Sequence, residues 1–351
     1  MSQIANPITR PVFFRYRIWD VVGRYLLMVL LALLLFGVIL LISGKDPIQS
    51  YKDIFSSTLG SVYGFSEVLV AMIPMLITAL AVALPSRVGL INVGGEGQLY
   101  IGAAFATWGA LTFKDLPAWA LLSLMVLLGM IGGAFWAFIP GYLKAIGLVN
   151  ETITTLLLNS VAPKIIGFLI FGFWHSPMDT VKTANFVPAA RLPAFLGTRV
   201  HLGLVIALAL LLLFWLVMKY TRWGLEMRSI WGNPQAAKRN GIPINTYWIT
   251  IMCLGGAIAG LAGMVQVSGF YGVLLLNFSM GLGFMGFLIS WLAAGDPFGI
   301  FLMSFVVAMI TTGGNLLQLT HDLPYAVINI LLAFTLFVVL ARPTLIKGKK
   351  A

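Results

Sequence analysis

About ten stretches of this chain are apolar for long enough to cross a bilayer, and they set the expected architecture. They cover 25–42, 66–84, 97–113, 118–139, 152–173, 202–218, 247–267, 282–294, 298–314 and 324–341. A membrane-spanning helix needs about 20 mostly apolar residues. Inside lipid every backbone polar group must be satisfied internally, which selects helices for segments of this length. The fold class predicted is all-α, a polytopic membrane protein with about ten transmembrane helices. The eighth stretch is short and rich in glycine. It is expected to be broken, tilted or fused with the ninth around Gly295-Asp296-Pro297. The first stretch follows Arg10, Arg15, Arg17 and Arg24, like the start of a signal peptide. Its apolar run is long and no small-residue cleavage motif follows, so it reads as an uncleaved anchor.

Composition sharpens this picture. Hydrophobic residues make up 60% of the chain and charged residues 9%, against about 25% charged in soluble domains. That excludes a soluble enzyme, a disordered chain and a nucleic-acid-binding domain. The partner implied is a lipid bilayer, not a nucleic acid polymer. The net charge of +11 fits loops held in the cytosol by basic residues. With the N-terminus inside, fifteen of the 22 Lys and Arg fall in cytoplasmic loops. The others are Lys45, Lys52, Lys114, Lys164, Lys182, Arg191 and Arg199, with Lys164 inside a span. The reading is one transmembrane domain over 1–351 with both termini cytoplasmic. Within it, 1–24 is a cytoplasmic segment, 174–201 an extracytoplasmic loop and 219–245 a basic cytoplasmic loop. Cys253 stands alone, and no Cys/His cluster suggests a metal. His175, His201 and His321 sit near span ends and read as solvent-side residues. The chain has no Walker A sequence, HExxH or triad-like serine, hence no expected catalytic, cofactor or metal site. Gly281, Gly283 and Gly286 match G-x-G-x-x-G, but inside an apolar span, so the match reads as a false positive.

Three polar segments carry candidate function. In the internal loop, Asn233 can cap a helix, Pro234 suits its first position and Gly241 suits the left-handed residue after its end. Ala236 and Ala237 fill the body. Lys238 and Arg239 meet the negative end of the helix dipole, and Pro243 blocks continuation. So short a helix needs something to dock on; lipid headgroups and a protein partner are both open. Between the second and third spans, Asn92, Glu96 and Gln98 lie in a glycine-rich junction, 89–98. Asn92 or Glu96 can cap the next helix, or the polar groups can mark a transport path at an interrupted helix. A charge at the bilayer centre costs on the order of 3 kcal/mol, so Glu96 is expected at a protein-lined interface or protonated, and not facing lipid. At the start of the fifth span, Glu151, Thr155 and Asn159 share one helix face. They face either a path or neighbouring helices. Gly129 with Gly133, and Gly256 with Gly260, fit close helix packing.

Taken together, these segments resemble the permease subunits of bacterial ABC importers, in the branched-chain amino acid and monosaccharide permease superfamily. The likeness is strongest to its nucleoside and simple-sugar branch. It runs from about Ile73 to Leu340 and is carried by Ile73-Pro74-Met75-Leu76 with 89–98, by 150–159, by 227–242, and by Gly283-Phe284 with Pro297-Phe298-Gly299. The resemblance implies a type II importer-like permease in the bacterial inner membrane. It implies that 233–241 is the coupling helix on an ABC ATPase subunit. It also implies a second, non-identical permease subunit and an extracytoplasmic substrate-binding protein. Trp231, the run Ala162-Pro163-Lys164, Ser290-Trp291 and Asp296 depart from the family's usual pattern. Candidate pathway residues are Asn92, Glu96, Gln98, Glu151, Thr155 and Asn159. The rival reading is a secondary transporter of small polar solutes, driven by an ion gradient through Glu96 or Glu151.

Overall fold

Why so many apolar helices pack as a protein and do not merely dissolve in lipid is answered by glycine. The computed structural model describes residues 44–175, 181–195 and 197–321, with positions 34, 37, 38, 40–42 and 330. The helices are α1 (Pro47–Leu59), α2 (Val62–Ser86), α3 (Gly95–Thr112), α4 (Ala118–Ala145), α5 (Glu151–Phe171) and α6 (Gly203–Tyr220). They continue with α7 (Arg222–Gly232), α8 (Pro234–Arg239), α9 (Ile244–Val265), α10 (Leu282–Leu292) and α11 (Pro297–His321). A π-helical turn over Gln266–Tyr271 prolongs α9. Ser50–Tyr325 forms one compact unit, and everything that follows lies within it.

The helices start where the chain supplies caps. Ser61 accepts from the Gly64 amide (3.0 Å), Asn150 from Thr152 (2.8 Å) and Asp296 from Gly299 (2.8 Å). Each satisfies an amide that the helix itself leaves unpaired. Among the described residues six helices are long and apolar enough to cross a membrane: α2, α4, α5, α6, α9 with its π turn, and α11 up to Asn315. The expected ten are not reached there. The stretches 25–42 and 324–341 lie outside the described residues, apart from a few positions. Glu96 and Gln98 make α3 too polar to qualify, and α10 has only 11 residues.

Hydropathy alone does not say which helices are central, but burial does. In α2, 89% of the most apolar window is buried, and in α9 67%, against 22 to 33% in α4, α5, α6 and α11. At the centre α3, α4 and α9 meet along Gly102, Gly129, Gly133, Gly256 and Gly260. A methyl group at Gly133 would run into the Gly256 carbonyl, one at Gly260 into the Gly129 carbonyl, and one at Gly102 into the Gly260 backbone. Without a hydrophobic drive between helices in lipid, such backbone approach supplies the dispersion contacts that hold them together. This is the packing role expected of the two glycine pairs, with Gly102 added.

Within the 174–201 loop, the described residues 181–195 and 197–201 fold back onto the bundle. The Thr183 amide donates to Leu274 O (3.1 Å), Phe186 to Gly272 O (2.9 Å) and Leu276 to Val181 O (3.1 Å). The Ser268 hydroxyl donates to Ala190 O (2.6 Å). His201 is thereby buried, not solvent-side as expected. Its ring packs on Gly203 and Gly269, and Nδ1 accepts from the Gly203 amide at 3.2 Å. Burial lowers its pKa to about 4.

Two outcomes follow from this packing. Gly260→Ala should lower stability in detergent by about 1–3 kcal/mol, while Gly232→Ala, with open space around it, should not. Equal melting temperatures would show that the seam tolerates side chains. His201 binds its proton more weakly folded than unfolded, so the unfolded state takes up more protons between pH 6.5 and 4. Stability should fall by about 2 kcal/mol from pH 7 to pH 5, and His201→Asn should flatten that slope in melts run across the range.

Candidate functional site

The polar junction after α2 is built as a knot of mutually satisfied groups. The Asn92 and Gln98 side-chain amides pair through two hydrogen bonds of 3.0 Å each. Asn92 Oδ1 also accepts from the Gly94 amide at 3.0 Å. Asn159, two turns into α5, accepts from the Gly97 amide (2.8 Å) and donates to Val93 O (2.8 Å). At 1.5 Å per residue, that contact sets the start of α3 about 12 Å inside the start of α5. The chain between Arg87 and Gly94 is therefore a non-helical lead-in to the bundle, and buried backbone of this kind must find partners. The Asn92, Gln98 and Asn159 side chains are those partners. Thr155 lies on the same face and donates to its own helix at Thr152 O (3.0 Å). Glu151 is at the edge, paired with Lys144 at 2.7 Å.

Glu96 does not cap its own helix. Gly94 stands at that position without a side-chain bond. The Glu96 carboxylate reaches across to the start of α10 and accepts from the amides of Gly281 (3.2 Å) and Gly283 (2.7 Å). α10 is thus capped by a residue almost two hundred positions earlier, at a positive helix end that favours a carboxylate. The approach is close because Gly283 packs directly on the Glu96 backbone and Gly286 on Thr78. Thr78, two turns before the end of α2, is within 3.2 Å of Leu282 O. α10 therefore begins deep in the bundle, and the G-x-G-x-x-G match is its packing face. Just before it, Met280 (φ 48°) and Gly281 (φ 90°) are both left-handed. For Met280 this conformation carries strain.

At its far end α10 runs into Ala294 and Gly295, again left-handed (φ 50° and 70°). The Arg87 guanidinium donates to Gly295 O and lies 5.6 Å from the centre of the Phe214 ring. Burial lowers the pKa of Arg87, Asp296 raises it and Arg228 lowers it further. The eighth and ninth spans are thus separate helices with a gripped break between them.

Above the start of α10 lies a cavity of about 690 Å³. Its walls come from α1, α2, the π turn, the turn before α10, α10 and α11. They present Ser57, Tyr63, Glu67, Gln266, Phe270, Tyr271, Phe278, Met280, Thr311 and Asn315 among others. Of the six residues named from sequence, Asn92, Gln98 and Asn159 form the knot with Thr155 beside it, Glu96 caps α10 and Glu151 pairs with Lys144; none of them lines this cavity. Sequence reasoning passed over Glu67. It is the lone charge in α2, which was the available signal.

In the basic segment, α8 has the expected form. Asn233 Oδ1 accepts from the Ala236 amide (3.0 Å), Pro234 is first in the helix, and Gly241 is left-handed (φ 82°). Ala237 is buried, whereas Lys238 and Arg239 are exposed. Glu226 accepts from the Tyr247 hydroxyl, tying α7 to α9.

A family model described as branched-chain amino acid transport system / permease component matches residues 64–339. The glucose ABC transporter permease protein of Haloferax volcanii is 36% identical over 330 residues, which cover 91% of this chain and 87% of that one. The nucleoside ABC transporter permease protein of Lactococcus lactis is 30% identical over 333 residues, 90% of each. The guanosine ABC transporter permease protein of Bacillus subtilis is 28% identical, covering 90% of this chain and 91% of that one. A solved structure titled PsaBC from Streptococcus pneumoniae in complex with Fab aligns with a TM-score of 0.50 at 14% identity. It covers 82% of this chain and 95% of that one, and shares the fold alone.

The Glu96 cap is open to test. Glu96→Gln keeps the shape but leaves an amide group facing one of the two glycine N–H groups. A loss of about 1–3 kcal/mol is expected, read as a lower melting temperature in detergent. An unchanged melt would show that α10 does not depend on the cap.

Proposed function

The chain belongs to the branched-chain amino acid transport system / permease component family, and from that we propose how it works as the membrane subunit of an ATP-driven importer. It is a multi-pass ABC transporter permease and not itself an enzyme. Its solutes are nucleosides or simple sugars, the chemistry shared by the relatives' names. The single observation behind this reading is the cavity that ends on a half-length helix. Discontinuous helices with free ends near the membrane's middle mark solute sites in transporters. The cavity's hydroxyl, amide and aromatic walls suit a neutral, hydroxyl-bearing solute.

The finer reading is a ten-span domain over 1–351 in the bacterial inner membrane, with both termini cytoplasmic. The loop 174–201 faces outward and meets an extracytoplasmic binding protein. The loop 219–245 faces inward, and α8 docks on the ABC ATPase subunit through Asn233, Pro234, Ala236, Ala237, Lys238, Arg239 and Gly241. A second, non-identical permease completes the pathway. Asn92, Gln98, Thr155 and Asn159, with Glu96 and Glu151, hold its inner wall in shape. ATP binding closes the ATPase pair, α8 moves, and the permeases alternate between outward-open and inward-open states. The rival ion-driven reading has no support from the relatives, which are ABC permeases by name.

Arg239→Glu should cut ATP-driven uptake in reconstituted vesicles at least tenfold and prevent co-purification of the ATPase, while membrane insertion is unchanged. Uptake at the level of the unaltered protein would remove α8 from the docking role.

A further inference from the structure

Glu67 is the one charged side chain among the 25 residues of α2, and it stands in the cavity wall. Its side chain is only 18% exposed. Arg199, from the folded-back segment, donates through Nη1 alone to both oxygens, at 3.2 and 3.1 Å. The same guanidinium lies 5.0 Å from the centre of the Phe270 ring, and Phe270 also lines the cavity. One nitrogen shared between two oxygens leaves acceptor sites on the carboxylate unused, since an ionised carboxylate offers about four. Arg199 thus fixes the carboxylate against an aromatic face without saturating it. Among the described residues the cavity lining holds no Lys, Arg or His, so Arg199 is the cation that meets this acid there.

A carboxylate so held is an acceptor for two adjacent donors on a solute. Glucose and nucleosides, the solutes in the relatives' names, have in common neighbouring ring hydroxyls and an apolar face. Resting on the proposed function above, we propose that Glu67 is the specificity-determining residue of the cavity. It accepts from a pair of adjacent hydroxyls while the ring plane of the solute lies on Phe270. Arg199 is a positioning residue for it.

The test uses the complete transporter in proteoliposomes, with guanosine and D-glucose as probes. Each is compared with an analogue lacking one or both adjacent hydroxyls: 2′,3′-dideoxyguanosine, and 2-deoxy- and 3-deoxyglucose. Glu67→Gln preserves size and is expected to raise KM for the hydroxylated solute on the order of tenfold, the effect of weakening a hydrogen bond to a charged group. KM for the deoxygenated analogue should stay within about twofold. The binding protein is the same in every arm, so its preference cancels in the ratio. Arg199→Lys should give a smaller loss in the same direction. An equal rise for both solutes would make Glu67 a structural residue, and no rise would remove it from the path; either overturns the inference. If the unaltered transporter carries neither guanosine nor glucose with ATP, the functional reading itself fails, before any variant is compared.

Discussion

The fold around the cavity depends on one carboxylate set against one broken backbone. The chain reverses inside the bundle before α10, and the helix that follows starts with amide groups that have no partner in their own helix. Two of them, on Gly281 and Gly283, are met by Glu96. The acid and the reversal make sense only together. Buried alone, the carboxylate would face a desolvation penalty of several kcal/mol. Left uncapped, the amides would carry a cost of the same kind. Their union fixes the depth of α10, the left-handed turn at Met280 and Gly281, and hence the floor of the cavity.

Small side chains make this union possible. A carboxylate can reach the start of another helix only if the two backbones nearly touch, and Gly283 and Gly286 allow that contact on α3 and α2. The seam through Gly102, Gly133 and Gly260 does the same for α3, α4 and α9. The bundle is therefore held by backbone proximity, with polar side chains closing the gaps where backbone is not helical. Asn92, Gln98 and Asn159 do this for the approach to α3, as Glu96 does for α10. The starts of α3 and α10 lie at similar depth, each about two turns in from a neighbouring helix end.

Local chemistry was legible in the sequence and long-range chemistry was not. Each signal in α8 acts within a few residues: Asn233 on Ala236, Pro234 on its own φ, Gly241 on the turn that follows. The glycine pairs on α4 and α9 were legible because their four-residue spacing already defines a stripe. Glu96 looked like a cap for the helix that contains it, and it caps one that starts at Leu282. Nothing near position 96 announces a partner beyond position 280. His201 misled for the same reason: it ends a loop in sequence, but in space its ring is covered by the start of α6 and by the π turn. Glu67 was passed over because a lone acid one residue into an apolar stretch carries no local sign of its partner, Arg199, 132 positions later.

The two grips on α10 also bear on how movement reaches the cavity. An 11-residue helix is about 16 Å long and behaves as a rigid rod over that distance. Its start is held by Glu96 beneath the cavity, and its end is held through Gly295 by Arg87 at the foot of α2. Left-handed residues flank it on both sides, Met280 and Gly281 before it, Ala294 and Gly295 after it. Those are the places where a chain turns without bending a helix. Arg87 also feels the charge of Arg228 on α7, the helix joined directly to α8. In the docking role proposed for α8, Arg87 and this rod would be the route by which a push reaches the residues that floor the cavity. Packed cores shift between discrete arrangements and do not deform smoothly, so in that proposal a displacement at Arg87 would change the seat of α10.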